Sequence, residues 1–446
     1  MADVVIIGAG PAGIFAAREL VLNDPWLDIV IIEQGDDISV RSRAGMGMLV
    51  GWGGAGAYSD GKLTISTDVG GQLASIVADE ELLGMLEHVD EIYTHYAPAG
   101  DLFTVQSDDA EAMIAQARLA GLVYVPTRVR HIGTEKLLVI LEKLRRELDD
   151  KVRMVFNVQV SEILHDGGRV TGVELSDGTV ISATYVIAAP GRVGSSWMSG
   201  QARKLGIETH PNPVDLGVRV ELPAAVMDHL TAKAYETKFI HYSRTFDDKV
   251  RTFCMNPYGE VVIETLGDIV TVNGHSWATK RTENTNFALL VSANFTEPFD
   301  DPIGYGESVA RLANMLGKGV IVQRLGDLLS GRRTTPGRLQ KCTTRPTLKQ
   351  ATPGDLSYCI PYRILTDIVE MLAGLDRVAP GVNSAHTLLY GIEVKFYSNR
   401  IMLDRSLGTQ IEGLYAVGDG AGITRGLIQA SCSGIIAARS VLGKAR

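Results

Sequence analysis

Near its start the chain sets out a strand, a glycine turn and a helix at the spacing that holds a phosphate. Val4-Val-Ile-Ile-Gly8 is an apolar run, Gly8, Gly10 and Gly13 punctuate the turn, and an Ala-rich stretch continues from Ile14 to Leu22. Three glycines in this order meet three needs: a tight turn, close approach of the backbone to a pyrophosphate, and close seating of the helix on the sheet. The helix start adds unpaired N–H groups and positive dipole potential. A second apolar run, Leu27 to Ile32, ends at Glu33, twenty residues beyond Gly13. A carboxylate there accepts bonds from ribose hydroxyls and repels a 2′-phosphate. The glycine spacing alone is a weak signal, because such a turn can be merely structural. With strand, helix and carboxylate in register it points to an adenine dinucleotide site.

A second concentration lies near the C-terminus. The strand expected over Leu414 to Val417 runs into Gly418-Asp419-Gly420, ahead of a small-residue helix from Leu427 to Leu442. Asp419 in that position can bond a ribityl hydroxyl while the helix start faces a phosphate or the polarised edge of a ring. A plain Asp-Gly turn is the alternative. Between the two ends lies a third signal, the run Gly45 to Gly61, which also contains Gly47, Gly51, Gly53, Gly54 and Gly56 and ends Ala57-Tyr-Ser-Asp-Gly-Lys-Leu63. Regular elements tolerate glycine poorly, at about 0.5 to 1 kcal/mol each relative to alanine. Met46, Met48, Leu49, Val50, Trp52 and Tyr58 are too apolar for a disordered linker, so the run reads as a loop enclosing a ligand.

Proton carriers are fewer. His386, in the loop Asn383-Ser-Ala-His-Thr387, suits proton exchange near neutrality, although a surface or capping role fits it as well. Tyr258, His241 and His275 are further candidates for touching substrate. Cys254 sits in an apolar strand pattern and reads as a small core side chain or a nucleophile. Cys432 falls on the last helix, where covalent attachment of a ring is conceivable. The histidines form no HxH, HxxxH or carboxylate cluster and the four cysteines no CxxC pair, so neither a metal site nor a disulfide framework is expected.

A chain of 446 residues exceeds what one hydrophobic core usually supports, so two domains are expected. Hydrophobic content of 45% and charge of 21% describe a globular chain. The formal charge of -9 is spread without blocks, which discourages a nucleic-acid partner. No apolar run approaches a membrane span, and the first strand begins too soon after Met1 for a signal peptide, so a cytoplasmic protein is expected.

Around these residues the periodicity predicts a framework. Helices are expected at Glu80 to Tyr96, Asp108 to Ala120 and Thr134 to Leu148, with short extended segments at Val123 to Val129, Val152 to Val160, Val170 to Leu175 and Val180 to Ala188. Asp166-Gly-Gly and Asp177-Gly supply hairpin turns. Beyond Pro211-Asn-Pro213 the pattern changes to six strands of a largely antiparallel sheet, at Gly217 to Leu222, Lys238 to Tyr242, Arg251 to Met255, Glu260 to Ile263, Asp268 to Val272 and Asn286 to Asn294. Helices are expected at Val309 to Leu316, Arg324 to Leu329 and Ile360 to Leu375. The loop Gly331-Arg-Arg-Thr-Thr-Pro-Gly-Arg338 with Lys341 to Gln350 is basic, either a solvated face or a site for an anionic group.

Together these segments resemble the two-dinucleotide-binding-domain flavoproteins, the group that includes glutathione reductase and the aromatic hydroxylases. Val186-Ile-Ala-Ala-Pro-Gly191 is similar to that group's second crossing motif, with Pro190 where threonine is common, which removes a hydroxyl and a donor. Gly53-Gly-Ala-Gly-Ala-Tyr-Ser-Asp-Gly-Lys62, Arg251-Thr-Phe-Cys-Met-Asn-Pro257 and Gly418 to Gly434 are similar to the FAD-dependent dehydrogenases also called NAD(FAD)-utilising dehydrogenases, over essentially the whole chain. The resemblance implies an α/β fold: a discontinuous Rossmann-like FAD-binding domain of glutathione-reductase type over 1–75, 125–209 and 379–446, a helical insertion over 76–124, and a second α+β domain on a mostly antiparallel sheet over 210–378. It implies that Gly8, Gly10, Pro11, Ala12, Gly13, Glu33 and Gln34 hold the ADP half of FAD, joined by Arg41, Arg43 and Val160. Gly53, Gly54, Ala55, Ser59, Asp60 and Gly61 would enclose the cofactor. Ala189, Gly191, Gly418, Asp419, Gly420, Gly426 and Leu427 would meet its flavin half.

FAD would make the chain an oxidoreductase. No second strand, GxGxxG and helix appears between residues 100 and 380, and no close cysteine pair is present, which argues against a disulfide-reductase layout. NADH or NADPH can still dock transiently, as aromatic hydroxylases permit, and an external electron-transfer partner is a further source. The leading expectation is a dehydrogenase or reductase of a small or medium-sized organic molecule held at the domain junction. The alternatives are a flavin monooxygenase, a geranylgeranyl-reductase-like alkene reductase, and a non-catalytic FAD-stabilised RNA-binding or scaffold protein suggested by Arg332, Arg333, Arg338, Lys341 and Arg345.

Overall fold

The computed structural model describes residues 1–41, 45–59, 61–96, 102–276, 280–295, 298 and 301–445. They form two compact units, the first of 1–102, 129–212 and 397–446, the second of 103–128 and 213–396.

The first unit is built on a parallel sheet. Its strands run in the order Arg153–Val155, Ile29–Ile32, Ala2–Ile7, Val180–Ala188 and Leu414–Ala416. These are β-branched and apolar runs with both faces covered, and Val4, Val5, Ile6, Val30, Ile31 and Val186 are fully buried. The first half of Val180–Ala188 pairs antiparallel with Arg169–Leu175, which pairs with Val160–Asp166. The expected strand from Val152 to Val160 is therefore two strands, one in the parallel sheet and one opening the hairpin. The helices Pro11–Asn23 and Leu427–Ala445 pack so closely that a Cβ on Gly434 would lie 2.0 Å from the Ala12 carbonyl oxygen.

The second unit carries a mixed, mainly antiparallel sheet in the order Thr352–Pro353, Ile321–Arg324, Leu388–Lys395, Val214–Pro223, Asn284–Ala293, Lys249–Asn256, Lys238–Tyr242 and Val123–Val125. Helix Tyr362–Leu375 packs on it, burying Ile364, Ile368, Met371 and Leu372 in its core. Strand Val214–Pro223 sends Val214, Leu216, Val218, Val220 and Leu222 into that core while Asp215, Arg219 and Glu221 alternate with them, also buried. On this polar side Arg219 pairs with Glu393 at 3.3 Å and donates to Asn286 Oδ1 at 2.8 Å, and Glu221 accepts from Tyr390 Oη at 2.5 Å.

Several expected boundaries fall elsewhere. The 76–124 stretch does not stand apart: helix Asp79–Tyr96 belongs to the first unit and helix Ser107–Leu119 to the second. Residues 379–396 lie in the second unit, because Leu388–Lys395 pairs with Val214–Pro223 and Ile321–Arg324. Glu260–Leu266 and Ile269–His275 pair with each other as a separate hairpin and not within the large sheet. Arg324 ends a strand, and the expected helix shortens to Leu325–Leu329.

Candidate functional site

Parallel strands that share a direction deliver the residues after them to one edge of the sheet, where ligands of open α/β sheets bind. Four such exits meet in the first unit: Gly8 after Ile7, Glu33 after Ile32, Ala189-Pro-Gly191 after Ala188, and Gly418-Asp419-Gly420 beyond Ala416. They come into mutual contact. A Cβ on Gly8 would lie 2.3 Å from the Ala189 carbonyl oxygen, one on Gly420 2.8 Å from that of Gly191, and one on Gly418 3.1 Å from Ala12 Cβ. The glycine-rich run folds over the same turn, with Gly53 N–H donating to the Ala9 carbonyl at 2.7 Å and Gly56 wedged between Pro11 and Leu427. The opening turn, the loop and the last helix are thus brought together.

These residues fit a dinucleotide. Gly10 begins the first helix with no capping side chain and no acidic residue in the first turn, which leaves the dipole and its N–H groups for an anion. A Cβ placed on Gly10 would meet no protein atom within 4 Å, and the same holds at Gly191 and Gly426, so open space faces all three. Glu33 is buried; its Oε1 accepts from the N–H groups of Gly35 and Gly51, both at 2.9 Å, and its Oε2 accepts from Ala9 N–H at 2.8 Å. Two carboxylate oxygens offer about four acceptor positions. One therefore remains open on Oε2, while the other three tie Glu33 to the opening turn at Ala9, to its own following turn at Gly35 and to the glycine loop at Gly51.

Asp419 is half-buried and accepts from Thr424 Oγ1 at 2.7 Å. Burial pushes its carboxyl above the ordinary range, against the opposing pull of Arg192, Thr424 and the Gly426 N–H. Gln34 accepts from Gln159 Nε2 at 3.1 Å near the surface, and Val160 is buried at the start of its strand. Ser59 Oγ accepts from Gly61 N–H at 3.2 Å, and Ala55 lies in the short helix Gly54–Tyr58. Arg41 is turned inward: its guanidinium donates to the carbonyls of Gly47, Trp52 and Gly54 at 2.9, 2.6 and 2.6 Å, and it stacks on Tyr58. It fastens the glycine loop. Arg43 and Asp60 lie outside the described residues.

The expected proton carriers lie in the second unit. His386 Nδ1 accepts from Thr343 N–H at 3.3 Å. Tyr258 donates to Asp228 at 2.8 Å, which raises its phenol pKa, and lies under Arg281. Cys254, half-buried, has left-handed backbone, and its carbonyl accepts from Arg219. Cys432 is fully buried, and burial pushes its thiol up to about 12. In the basic loop Arg332 donates to buried Asp327 at 2.9 Å, with Arg324 and Arg338 at 3.6 and 3.9 Å, so part of that charge is neutralised internally. Sequence reasoning passed over Thr424 and the segment at 69–72; the paired glycines Gly70-Gly71 were the available signal.

Among the described residues no group of three or more His, Cys, Asp or Glu could hold a metal ion, and no helix is long and apolar enough to cross a membrane.

The fold and this edge define a Rossmann-like flavoprotein with a second α+β domain. The sequence model described as FAD dependent oxidoreductase matches residues 3–265, and one described as FAD-dependent protein, C-terminal domain-like, matches residues 213–396. The chain belongs to the FAD-dependent oxidoreductase family, and it is a flavin-dependent redox enzyme. An uncharacterized protein of Clostridium beijerinckii is 25% identical over 479 aligned positions, spanning 99% of this chain and 80% of its own. A monooxygenase of Claviceps purpurea is 25% identical over 190 positions, 43% of this chain and 34% of its own. A variant of the quinol fumarate reductase of E. coli superposes with a TM-score of 0.46 at 14% identity, over 100% of this chain and 70% of its own.

Proposed function

We propose that the enzyme lays FAD across the sheet edge from Glu33 to Asp419 and uses it to oxygenate a small or medium-sized organic molecule. The observation that carries the cofactor's placement is the open space at Gly10, Gly191 and Gly426 beside an uncapped helix start. Bound flavin supplies hydride or electron transfer and reaction with oxygen. The chain's own part is to bind and orient: the helix start faces the pyrophosphate, Glu33 Oε2 takes a ribose hydroxyl, and Asp419 takes a ribityl hydroxyl. Oxygenation stands ahead of dehydrogenation because the Claviceps purpurea relative is described as a monooxygenase. Dehydrogenation or reduction of the same class of substrate is the second reading, motivated by the resemblance at Gly53 to Lys62 and Arg251 to Pro257. NADH or NADPH, docking without a domain of its own, is the electron source proposed for the first reading. His386, Tyr258 and Cys254 remain candidates for proton transfer to substrate.

Two measurements decide. Purified protein is expected to carry FAD or take it up at micromolar concentration, and protein that does neither sinks both readings. Anaerobically reduced enzyme mixed with oxygen in a stopped-flow instrument is expected to show a transient absorbance before the oxidised spectrum returns. Direct, slow return with peroxide release, together with rapid reoxidation by an organic acceptor, assigns dehydrogenation instead.

A further inference from the structure

The last helix is preceded by a turn, Gly422 to Arg425, that is held from outside by a strap of four residues. Gln72 N–H donates to the Ile423 carbonyl at 2.7 Å, Arg425 N–H to the Gly70 carbonyl at 2.5 Å, and Gly71 bridges Thr424 antiparallel. Gln429 Nε2, from the last helix, donates to the Val69 carbonyl at 2.9 Å. The strap takes this path only as glycine: Gly71 has φ +141°, and a Cβ on it would lie 2.6 Å from both the Ile423 carbonyl oxygen and Thr424 Cα. Side chains then anchor it. Gln72 Nε2 donates to Asn212 Oδ1 at 2.9 Å and its Oε1 accepts from Arg400 Nη1 at 2.9 Å. Asn212 is itself buried and donates to the carbonyls of Ser398 and Gly422, at 2.7 and 2.8 Å. All of these residues belong to the first unit.

Thr424 is where the strap meets the site. Its backbone is bridged by Gly71, it is 3% exposed, and its hydroxyl makes the 2.7 Å bond to Asp419. A carboxylate that accepts a hydrogen bond from a hydroxyl fixed on both sides has its rotamer set before any ligand arrives.

We propose that Thr424 is the positioning residue for Asp419 and that the strap Val69–Gln72, anchored by Asn212 and Arg400, holds Thr424 in place. Thr424 and the strap thereby set both the affinity for FAD and the redox potential of the bound flavin. This rests on the proposed placement of FAD beside Asp419. The potential responds because the charge and orientation of Asp419 are part of the field at the cofactor, and Thr424 stabilises the charged carboxylate against its burial.

The test uses full-length protein and FAD itself. Thr424→Val keeps the shape and removes the hydroxyl, Thr424→Ser restores a hydroxyl, and Gln72→Leu cuts the anchor. FAD affinity is read by quenching of flavin fluorescence, and the midpoint potential by anaerobic redox titration. Thr424→Val and Gln72→Leu are expected to bind FAD about tenfold more weakly and to shift the potential. Thr424→Ser is expected to match wild type in both, and far-UV circular dichroism of the apoprotein is expected to show a folded protein for every variant. Wild-type affinity and potential in Thr424→Val overturn the role of Thr424, and wild-type values in Gln72→Leu overturn the strap. Wild-type protein that binds no FAD sinks the cofactor placement instead, a separate outcome.

Discussion

Gly10 and Gly13 stand three residues apart and carry opposite constraints. A Cβ on Gly13 would sit 2.0 Å from the Gly8 carbonyl oxygen, so that glycine is demanded by the fold. Gly10 has φ -77°, a value open to any residue, and faces no protein atom within 4 Å. Gly10→Val should therefore fold and melt as wild type does while losing FAD, since the added carbons occupy the phosphate's approach. Full FAD content in folded Gly10→Val protein contradicts the placement of the pyrophosphate. A second residue reports on pH. Asp367 is wholly buried, and burial pushes its pKa to about 6, with Asp248 adding to the shift. Asp248 is itself paired with Arg363, so Asp367 is the carboxyl that keeps the proton. A folded-state pKa above the unfolded one means tighter proton binding in the folded state. Its stabilising contribution is therefore complete at acid pH, below the unfolded value, and is lost as pH rises through about 6. Asp367→Asn stays neutral throughout, so denaturant titrations from pH 4 to pH 8 should show the variant gaining on wild type as pH rises. A difference that does not change with pH would dispose of the buried neutral acid.

Among the elements, the contact between the first and last helices carries the most consequence, because it brings the two glycine turns to one edge. Gly434 meets the backbone of Ala12 and Ala16, with no flexible side chain in between to give way. Gly434→Ala must push the helices apart, at about 1 to 3 kcal/mol for overpacking. Thermal melting should show a lower midpoint, with weakened FAD binding alongside it; an unchanged midpoint means that the helices yield at no cost. The helix Pro11–Asn23 and its strand were legible in the sequence because each is local: the apolar run, the three glycines and the Ala-rich stretch are adjacent. Helix Thr134–Leu148 was legible to the residue because its apolar face repeats at helical spacing, with Leu137, Ile140, Leu141, Leu144 and Leu148 all buried. Pairing was not legible. Nothing within Val152 to Val160 says that Arg153–Val155 lies beside Ile29–Ile32 while Val160 onward pairs with Arg169–Leu175, since neither partner is signalled within the segment itself. The same reason hid the inward turn of Arg41, whose three carbonyl acceptors are created only when the glycine loop folds back.

At the scale of the whole chain, the two units are interleaved in a way that composition does not signal. The change of pattern at Pro213 was visible, and the second unit does resume there, but it also takes in residues 103–128 from between two pieces of the first. Those residues carry the edge strand Val123–Val125, which pairs with Lys238–Tyr242, and they bury Met113, Leu122 and Tyr124 in the second unit's core. The family model for that unit matches residues 213–396 alone, which omits them. Each large apolar side chain withdrawn from a core forfeits about 1.5 to 3 kcal/mol, so losing three removes on the order of 5 kcal/mol. It also bares the backbone of Lys238–Tyr242 as a new sheet edge. A fragment of residues 213–396 is therefore expected to melt at least about 10 °C below the same fragment with residues 103–128 joined to it by a flexible linker, at about 2 to 4 °C per kcal/mol for this size. It is also expected to aggregate more readily. Equal melting points for the two fragments would mean that residues 103–128 add no stability to the second unit, and the division of the chain at Pro213 would then serve as a true domain boundary.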